Sequence, residues 1–261
     1  MLKRTTIRDI QKKAEEGRKI TMVTAYDAYS AKLVEAAGID IALIGDSVGT
    51  TLQGRHDTLA VEMEDMLYHT EIVGRSTERL LLVGDMPFGS YQVNEDEAVQ
   101  NAVAFLKAGA HAVKLEGGAS VMPLIERLND AGIPVMGHLG YTPQSVNVTS
   151  GPRVNKSRDE LMEDAESLKD AGVFALVLEL VPADLAGEIT KSIGIPTIGI
   201  GAGPHTSGQV LVFHDMLGFS PEFSPKFLKR YANLYETALG ALKQYKSEVE
   251  GGQYPGPEHS Y

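Results

Sequence analysis

The chain has 261 residues, of which 43% are hydrophobic and 23% charged, values typical of a folded globular protein. It contains no cysteine, which excludes disulfides, thiolate-bound metal clusters and a cysteine nucleophile. Its 24 basic and 35 acidic residues give a net charge of −11, which disfavours nonspecific binding to nucleic acid or to an anionic membrane.

Short apolar segments recur along the chain, and most are followed by a stretch with helical periodicity. Segments such as Ile41–Ile44 are wholly apolar, as expected for strands buried on both faces of a parallel sheet. The predicted strands are Thr21–Tyr26, Asp40–Gly45, Leu80–Gly84, Ala112–Glu116, Pro134–His138, Ala175–Leu180, Pro196–Ile200 and Gln209–Phe213. The predicted helices are Ser30–Ala37, Glu62–Arg75, Glu95–Ala108, Ser120–Ala131, Asp159–Ala171 and Ala183–Ser192.

This alternation predicts an α/β protein built from one repeated strand–helix unit. Five of the six predicted helices stop within two residues of a glycine, the residue that most often terminates a helix at its carboxyl end. Eight strands in about 250 residues favour a single TIM (β/α)8 barrel domain over residues 1–261. A doubly wound sheet is the alternative, but it usually has fewer strands and an early glycine-rich nucleotide turn, which is absent after the first strand here.

The sequence carries no sign of export or of a membrane anchor. The amino terminus lacks the apolar run of a signal peptide, and no apolar stretch approaches the roughly 18 residues of a membrane-spanning helix. We therefore expect a cytoplasmic protein that acts on small molecules, with neither nucleic acid nor membrane as a partner.

Three carboxylates stand at equivalent ends of neighbouring predicted strands, where a barrel carries its chemistry. They are Asp46, Asp85 and Glu116. Like charges brought together repel each other unless a cation lies among them, and oxygen ligands without cysteine favour Mg²⁺ over Zn²⁺. The alternative is that each carboxylate caps a helix or pairs with a basic side chain.

Further polar residues lie in the same predicted strands. Lys114 and Glu116 are two residues apart and point the same way, so Lys114 either binds a substrate carboxylate or forms a buried salt bridge. Glu179 lies in an otherwise apolar strand. It is either a general base or a core carboxylate that is paired with another side chain. His138 is either an accessory site residue or a hydrogen-bonded packing residue.

Ten short motifs occur in order over nearly the whole chain. They are Thr24–Asp27, Gly45–Gly49, Tyr68–Thr70, Asp85–Phe88, Val113–Gly118, Gly137–Gly140 with Thr142–Ser145, Leu178–Glu179 with Val181–Pro182, Ile198–Gly203, Gly208–Val212 with His214–Asp215, and Pro255–Ser260. Together they closely resemble the motifs of the ketopantoate hydroxymethyltransferase (3-methyl-2-oxobutanoate hydroxymethyltransferase) family of pantothenate and coenzyme A biosynthesis.

The resemblance implies a barrel of the phosphoenolpyruvate/pyruvate-binding type, assembled as a homodecamer of two pentameric rings. It implies one Mg²⁺ per subunit, and 5,10-methylenetetrahydrofolate or a related reduced pterin as the one-carbon donor. By position, the resemblance assigns the metal site to Asp46, Asp85 and Glu116. It assigns binding of the α-keto acid to Asp46, Ser47, Asp85 and Lys114. It makes Glu179 the proton acceptor and gives His138 an accessory role.

Two other functions remain open at this stage. The first is another Mg²⁺-dependent α-keto-acid C–C lyase of the same superfamily, although nearly all such enzymes depend on a reactive cysteine and this chain has none. The second is a catalytically inactive barrel that acts in binding or assembly, against which the full set of acidic and basic residues argues.

Overall fold

Eight parallel strands form a closed barrel within the part of the chain that the structure describes, which comprises residues 4–149, 151, 154 and 156–261 of a computed structural model. The strands follow one another around the barrel in chain order, and the last pairs with the first. They are β1 (Ile20–Thr24), β2 (Ile41–Ile44), β3 (Leu81–Asp85), β4 (Ala112–Glu116), β5 (Val135–Gly140), β6 (Ala175–Glu179), β7 (Thr197–Ile200) and β8 (Gly208–Leu211). The TIM-barrel prediction is confirmed, and the doubly wound alternative is wrong because the sheet closes on itself.

The six predicted helices are all present, and the bounds of predicted helices and strands lie within two residues of those observed. The eighth strand is the clearest difference, because Phe213 begins a helix rather than ending the strand. The helices are α1 (Ile7–Glu15), α2 (Ala28–Ala36), α3 (Val48–Thr51), α4 (Met63–Ser76), α5 (Glu95–Ala108), α6 (Met122–Asp130), α7 (Val146–Thr149), α8 (Arg158–Asp170), α9 (Ala183–Ile193), α10 (Phe213–Met216) and α11 (Leu234–Glu250). Single turns of 3₁₀ helix occur at Ala119–Val121, Pro143–Ser145 and Pro257–His259.

Helix α1, which the sequence analysis missed, covers the amino-terminal end of the barrel. A reciprocal capping box between Thr6 and Asp9 fixes its start. Ile10 is fully buried in the cluster of apolar side chains that fills the barrel. Asp40, just before β2, accepts hydrogen bonds from Lys13 of α1 and from the backbone N–H of Thr21 in β1, each at 2.7 Å. The helix is therefore joined to the barrel by both apolar and polar contacts.

The chain divides into two compact units, Met1–Val212 and Phe213–Tyr261. The first contains the barrel and all the site residues selected from the sequence, and the second contains α10 and α11. The assignment of residues 1–261 to one domain stays a prediction. Over the described residues, we find no helix with both the length and the apolar character to span a bilayer.

Candidate active site

The residues selected from the sequence converge at the carboxyl ends of β2 to β6. Strand register places Asp85 beside Lys114 and Glu116 beside His138. Ser47 and Glu179 are half-buried. The buried members, with their exposed fractions, are Asp46 (4%), Asp85 (2%), Lys114 (4%), Glu116 (6%) and His138 (2%).

Lys114 is the basic centre of this cluster. Its Nζ donates a hydrogen bond to Asp85 Oδ1 at 2.6 Å and lies 3.9 Å from Glu116 Oε1. The predicted common orientation of Lys114 and Glu116 is confirmed, and the structure adds a buried ion pair with the neighbouring strand. Burial disfavours the ammonium, but the charges of Asp85 and Glu116 outweigh that effect and raise the pKa of Lys114. Lys114 is therefore a permanent positive charge.

Asp46 and Asp85 are held close together without a second basic side chain between them. The backbone N–H of Asp46 donates to Asp85 Oδ2 at 3.3 Å. Burial, and then the charge of Asp85, raises the pKa of Asp46 to about 8. Burial also raises the pKa of Asp85, against the opposing effect of Lys114. The cluster thus carries more acid than one lysine can neutralise, which favours uptake of a proton or a cation.

His138 lies between two carboxylates. Its Nδ1 is 3.4 Å from Glu116 Oε1 and its Nε2 is 3.3 Å from Glu179 Oε2. Burial and Lys114 disfavour the charged imidazolium, but the two carboxylates outweigh them and raise the pKa of His138 to about 9. The pKa of Glu116 is lowered, since His138 and Lys114 outweigh its burial. His138 therefore links the acidic cluster to Glu179.

Glu179 ends β6, and its side chain is 17% exposed, the most open of the acidic side chains in the site. The predicted strand Ala175–Leu180 ends one residue earlier than expected, at Glu179, whose side chain is half-buried. Leu180 then adopts a left-handed backbone conformation with φ 54°. The Glu179 carbonyl accepts a hydrogen bond from the N–H of Tyr141 at 2.8 Å. This turn leaves the carboxylate accessible to a bound molecule.

Three residues of the site were missed as functional residues by the sequence analysis, although each lies in or near a motif that it quoted. The Tyr26 hydroxyl is 2.7 Å from Ser47 Oγ, and burial raises the pKa of Tyr26 to about 12, so it remains a neutral phenol. The Tyr91 hydroxyl accepts a hydrogen bond from the backbone N–H of Glu116 at 3.0 Å. Gln144 contacts both Asp46 and Glu116. An amide side chain gives no signal in a search for catalytic acids and bases, whereas the two tyrosines could have been considered, since a phenol can act as either.

The chemistry of the acidic cluster fits a divalent cation, although its side chains do not all point towards one common position. The described residues include no group of three or more His, Asp or Glu side chains placed to hold a metal ion. Two observations nevertheless favour a cation. Asp46 and Asp85 lie together beside a single lysine, and Glu116 Oε1 is buried without a hydrogen bond, although Lys114 Nζ and His138 Nδ1 lie 3.9 and 3.4 Å from it. Oxygen donors of this kind suit a hard cation such as Mg²⁺.

The fold and the position of this site define a class of barrels. Phosphonopyruvate hydrolase, solved with oxalate and Mg²⁺, matches with a TM-score of 0.64 at 15% identity, over 97% of this chain and 93% of that chain. A 2,3-dimethylmalate lyase, described as a PEP mutase/isocitrate lyase superfamily member, matches with a TM-score of 0.61 at 15% identity, over 95% and 99% of the two chains. The chain has the α/β barrel fold of that superfamily.

Sequence similarity identifies the family within this class. The profile of the family described as ketopantoate hydroxymethyltransferase matches residues 4–257. The 3-methyl-2-oxobutanoate hydroxymethyltransferase of Kosmotoga olearia is 53% identical over 94% of this chain and 93% of the relative, and that of Ignicoccus hospitalis is 52% identical over 98% of each. The chain belongs to the ketopantoate hydroxymethyltransferase family and is an enzyme, as the motifs predicted.

Proposed function

We propose that this enzyme transfers a hydroxymethyl group from a reduced pterin to C3 of 3-methyl-2-oxobutanoate. The product is ketopantoate, the precursor for pantothenate and coenzyme A biosynthesis. The observation that carries the proposal is the buried Asp46–Asp85–Lys114–Glu116 cluster beside a partly exposed Glu179. The names of the relatives, at about 50% identity over nearly the whole chain, supply the substrate.

Asp46, Asp85 and Glu116 are the residues that would hold one Mg²⁺ per subunit. Because Mg²⁺ retains several water molecules, we expect one or two of these carboxylates to bind it directly and the remaining acid to act through water. A bound cation supplies a Lewis acid that polarises the keto group of the substrate. The raised pKa of Asp46 and the unpartnered oxygen of Glu116 support this assignment.

Lys114 and Ser47 bind and orient the α-keto acid. Lys114 keeps its charge because its pKa is raised, so it attracts the substrate carboxylate without losing a proton to it. The Ser47 hydroxyl is held by the Tyr26 hydroxyl at 2.7 Å, which fixes the direction in which it can donate or accept. Together with Asp46 and Asp85, these residues form the keto-acid subsite.

Glu179 accepts the proton from C3 of the substrate. Its partly exposed carboxylate stands across His138 from the acidic cluster, the position that a base needs when the keto acid lies on that cluster. The electron pair released at C3 then forms the new C–C bond to the methylene carbon of the pterin. Water supplies the hydroxyl group at that carbon as its bonds to the pterin nitrogens break, and the nitrogens take up one proton from water and the one removed from C3, which gives ketopantoate and the free reduced pterin. His138 holds the Glu179 carboxylate in place as an accessory residue.

The decisive experiment is exchange of the C3 proton of 3-methyl-2-oxobutanoate with D₂O, followed by NMR without any pterin. We expect exchange that depends on both enzyme and Mg²⁺. Addition of 5,10-methylenetetrahydrofolate, or of another reduced one-carbon pterin, should convert exchange into ketopantoate formation and so identify the donor. Absence of exchange together with absence of product would overturn the proposed function.

We further propose that the enzyme is a cytoplasmic homodecamer. This proposal rests on the family resemblance alone. Light scattering at micromolar concentration should give about ten times the 28.1 kDa mass of one chain. A mass near that of a single chain would contradict the assembly and leave the proposed chemistry untouched.

A further inference from the structure

Gln144 forms hydrogen bonds with every polar atom of its side chain. The residue lies in the 3₁₀ turn that follows β5 and is 5% exposed. Its Nε2 donates to Asp46 Oδ2 at 3.0 Å and to the backbone carbonyl of Met86 at 2.9 Å. Its Oε1 accepts from the Tyr91 hydroxyl at 2.8 Å and from Gln92 Nε2 at 3.0 Å.

These partners fix the orientation of the Gln144 amide. The carbonyl of Met86 can only accept, so the amide nitrogen must face it, and the second hydrogen of that nitrogen points to Asp46. The Gln92 amide nitrogen can only donate, so the amide oxygen of Gln144 must face it. The contacts with Met86 and Gln92 therefore ensure that the amide nitrogen of Gln144, and not its oxygen, faces Asp46.

The main chain of Gln144 holds a second carboxylate. Its backbone N–H donates to Glu116 Oε2 at 3.1 Å, while Glu116 Oε1 forms no hydrogen bond and lies 3.4 Å from His138 Nδ1 and 3.9 Å from Lys114 Nζ. Gln144, which follows β5, thus binds one oxygen of Asp46, which follows β2, and one oxygen of Glu116, which ends β4. A neutral amide can orient these carboxylates without cancelling their charge, which an arginine or lysine in its place would do.

We propose that Gln144 is a positioning residue that binds one oxygen of Asp46 and one of Glu116, so that their other oxygens face a divalent cation or its water. The identity of that cation rests on the proposed function. The inference predicts that loss of the side-chain amide weakens cation binding through Asp46, even though Gln144 itself contacts neither the cation nor the substrate.

The test is direct calorimetric titration of the whole enzyme with Mg²⁺, without substrate. Gln144→Met keeps the side-chain length and the backbone bond to Glu116 but loses the amide, and it should bind Mg²⁺ about 10–100-fold more weakly, the usual effect of losing a residue that orients a metal ligand. Gln92→Met removes a donor from the same network without touching Asp46, and it should bind Mg²⁺ within about twofold of the wild type. Mg²⁺ affinity within twofold of the wild type in Gln144→Met would overturn the inference.

Steady-state kinetics separate positioning from a purely structural role. A positioning role predicts that kcat of Gln144→Met recovers towards the wild-type value at saturating Mg²⁺, because Glu179 is intact. A structural role predicts a lower unfolding midpoint with unchanged Mg²⁺ affinity, and this result also contradicts the inference. If Gln144→Met does not fold, Gln144→Asn replaces it, since an amide shorter by one methylene cannot span Asp46 and Tyr91.

A crystal structure of Gln144→Met tests the positioning role separately from the proposed function. If the wild-type enzyme binds no Mg²⁺ and exchanges no C3 proton, the proposed function fails. The orientation of the Asp46 carboxylate in Gln144→Met then decides the positioning role: a rotated carboxylate supports it, and an unmoved carboxylate refutes it.

Discussion

Gly140 lies directly against the backbone of Glu179. A β-carbon on Gly140 would come 2.1 Å from the Glu179 carbonyl oxygen, and Gly140 has φ +100°. The next residue, Tyr141, donates its N–H to the same carbonyl at 2.8 Å. The end of β5 therefore determines where the end of β6 places the proposed base.

Gly140→Ala should destabilise the enzyme and displace Glu179. The left-handed backbone costs a non-glycine residue roughly 1–2 kcal/mol, and the close contact adds about 1–3 kcal/mol. We expect a lower midpoint of urea unfolding and, in the folded fraction, loss of C3 proton exchange. Gly132→Ala is the matched control, because Gly132 also has positive φ, +77°, but nothing lies within 4 Å of its β-carbon position. Equal effects in the two variants would show that the contact with Glu179 is unimportant.

Glu179→Gln should fold, bind Mg²⁺ and bind the keto acid nearly normally. It keeps the size and hydrogen-bonding capacity of the side chain but cannot accept the proton. We expect a loss of about two to four decades in turnover, the range that general-base catalysis supplies. The same loss should appear in C3 proton exchange, since both processes need the same deprotonation. If exchange continues at the wild-type rate, Glu179 is not the base. His138, 3.3 Å away, then becomes the first candidate, provided that it first loses the proton that its raised pKa of about 9 retains.

Asp46→Ala and Asp85→Ala should each weaken both Mg²⁺ binding and keto-acid binding. Both carboxylates are buried beside Lys114, and we expect at least about a tenfold rise in the dissociation constant for Mg²⁺ and in the KM for the keto acid. Asp40→Ala removes an acid at the opposite end of the barrel, where it pairs with Lys13, and should leave both constants unchanged. Wild-type activity of Asp46→Ala or Asp85→Ala at limiting Mg²⁺ would refute the metal-site assignment.

His111 should make the fold sensitive to mild acid. Its Nδ1 accepts a hydrogen bond from the N–H of Leu82 at 3.0 Å, and Arg4 contacts its other ring nitrogen at 2.8 Å. Burial, assisted by the Arg4 charge, lowers the pKa of His111 from 6.5 to about 4. Between these values the unfolded chain binds a proton that the folded chain does not, so this contribution to stability is present above 6.5 and is lost as the pH falls towards 4.

The measurement is the urea midpoint of wild type and His111→Asn over this pH range. The asparagine oxygen can still accept from Leu82 but does not titrate, and acids elsewhere in the chain affect both proteins equally. We expect the advantage of the wild type over His111→Asn to shrink as the pH falls from 6.5 to 4. A constant difference across that range would show that His111 does not cause the acid sensitivity.

The strands and main helices were predictable because their signals are local. The apolar run of β2 and the glycine after α5 can each be read without knowledge of the partner element. Helix α1 escaped prediction because six of its nine residues are polar or charged, although the Thr6–Asp9 capping pair could have indicated its start. Helix α11 was also missed, although Leu234, Ala238, Leu242, Tyr245 and Val249 recur at helical spacing; none of its 17 residues is buried.

The acidic site was predictable only in outline. The repeated strand unit places Asp46, Asp85 and Glu116 at one end of the barrel, but it does not specify which of them pairs with Lys114. That pairing depends on register between strands and on side-chain rotamers. Gln144 illustrates the limit, because its role arises from partners 28 to 98 residues away in the chain.

Helix α1 and the packed barrel interior bear on the order in which substrates bind. Among the described residues, Ile10 of α1 and the apolar side chains of the barrel interior close the amino end, which leaves the carboxyl end as the approach to the acidic cluster. In the proposed reaction, the keto acid would bind the most deeply buried residues of the cluster, and the much larger pterin would bind above it in the same entrance. We therefore predict a compulsory-order ternary-complex mechanism, in which the keto acid enters first and the spent pterin departs before ketopantoate. Product inhibition by ketopantoate should accordingly be competitive against 3-methyl-2-oxobutanoate and noncompetitive against the pterin.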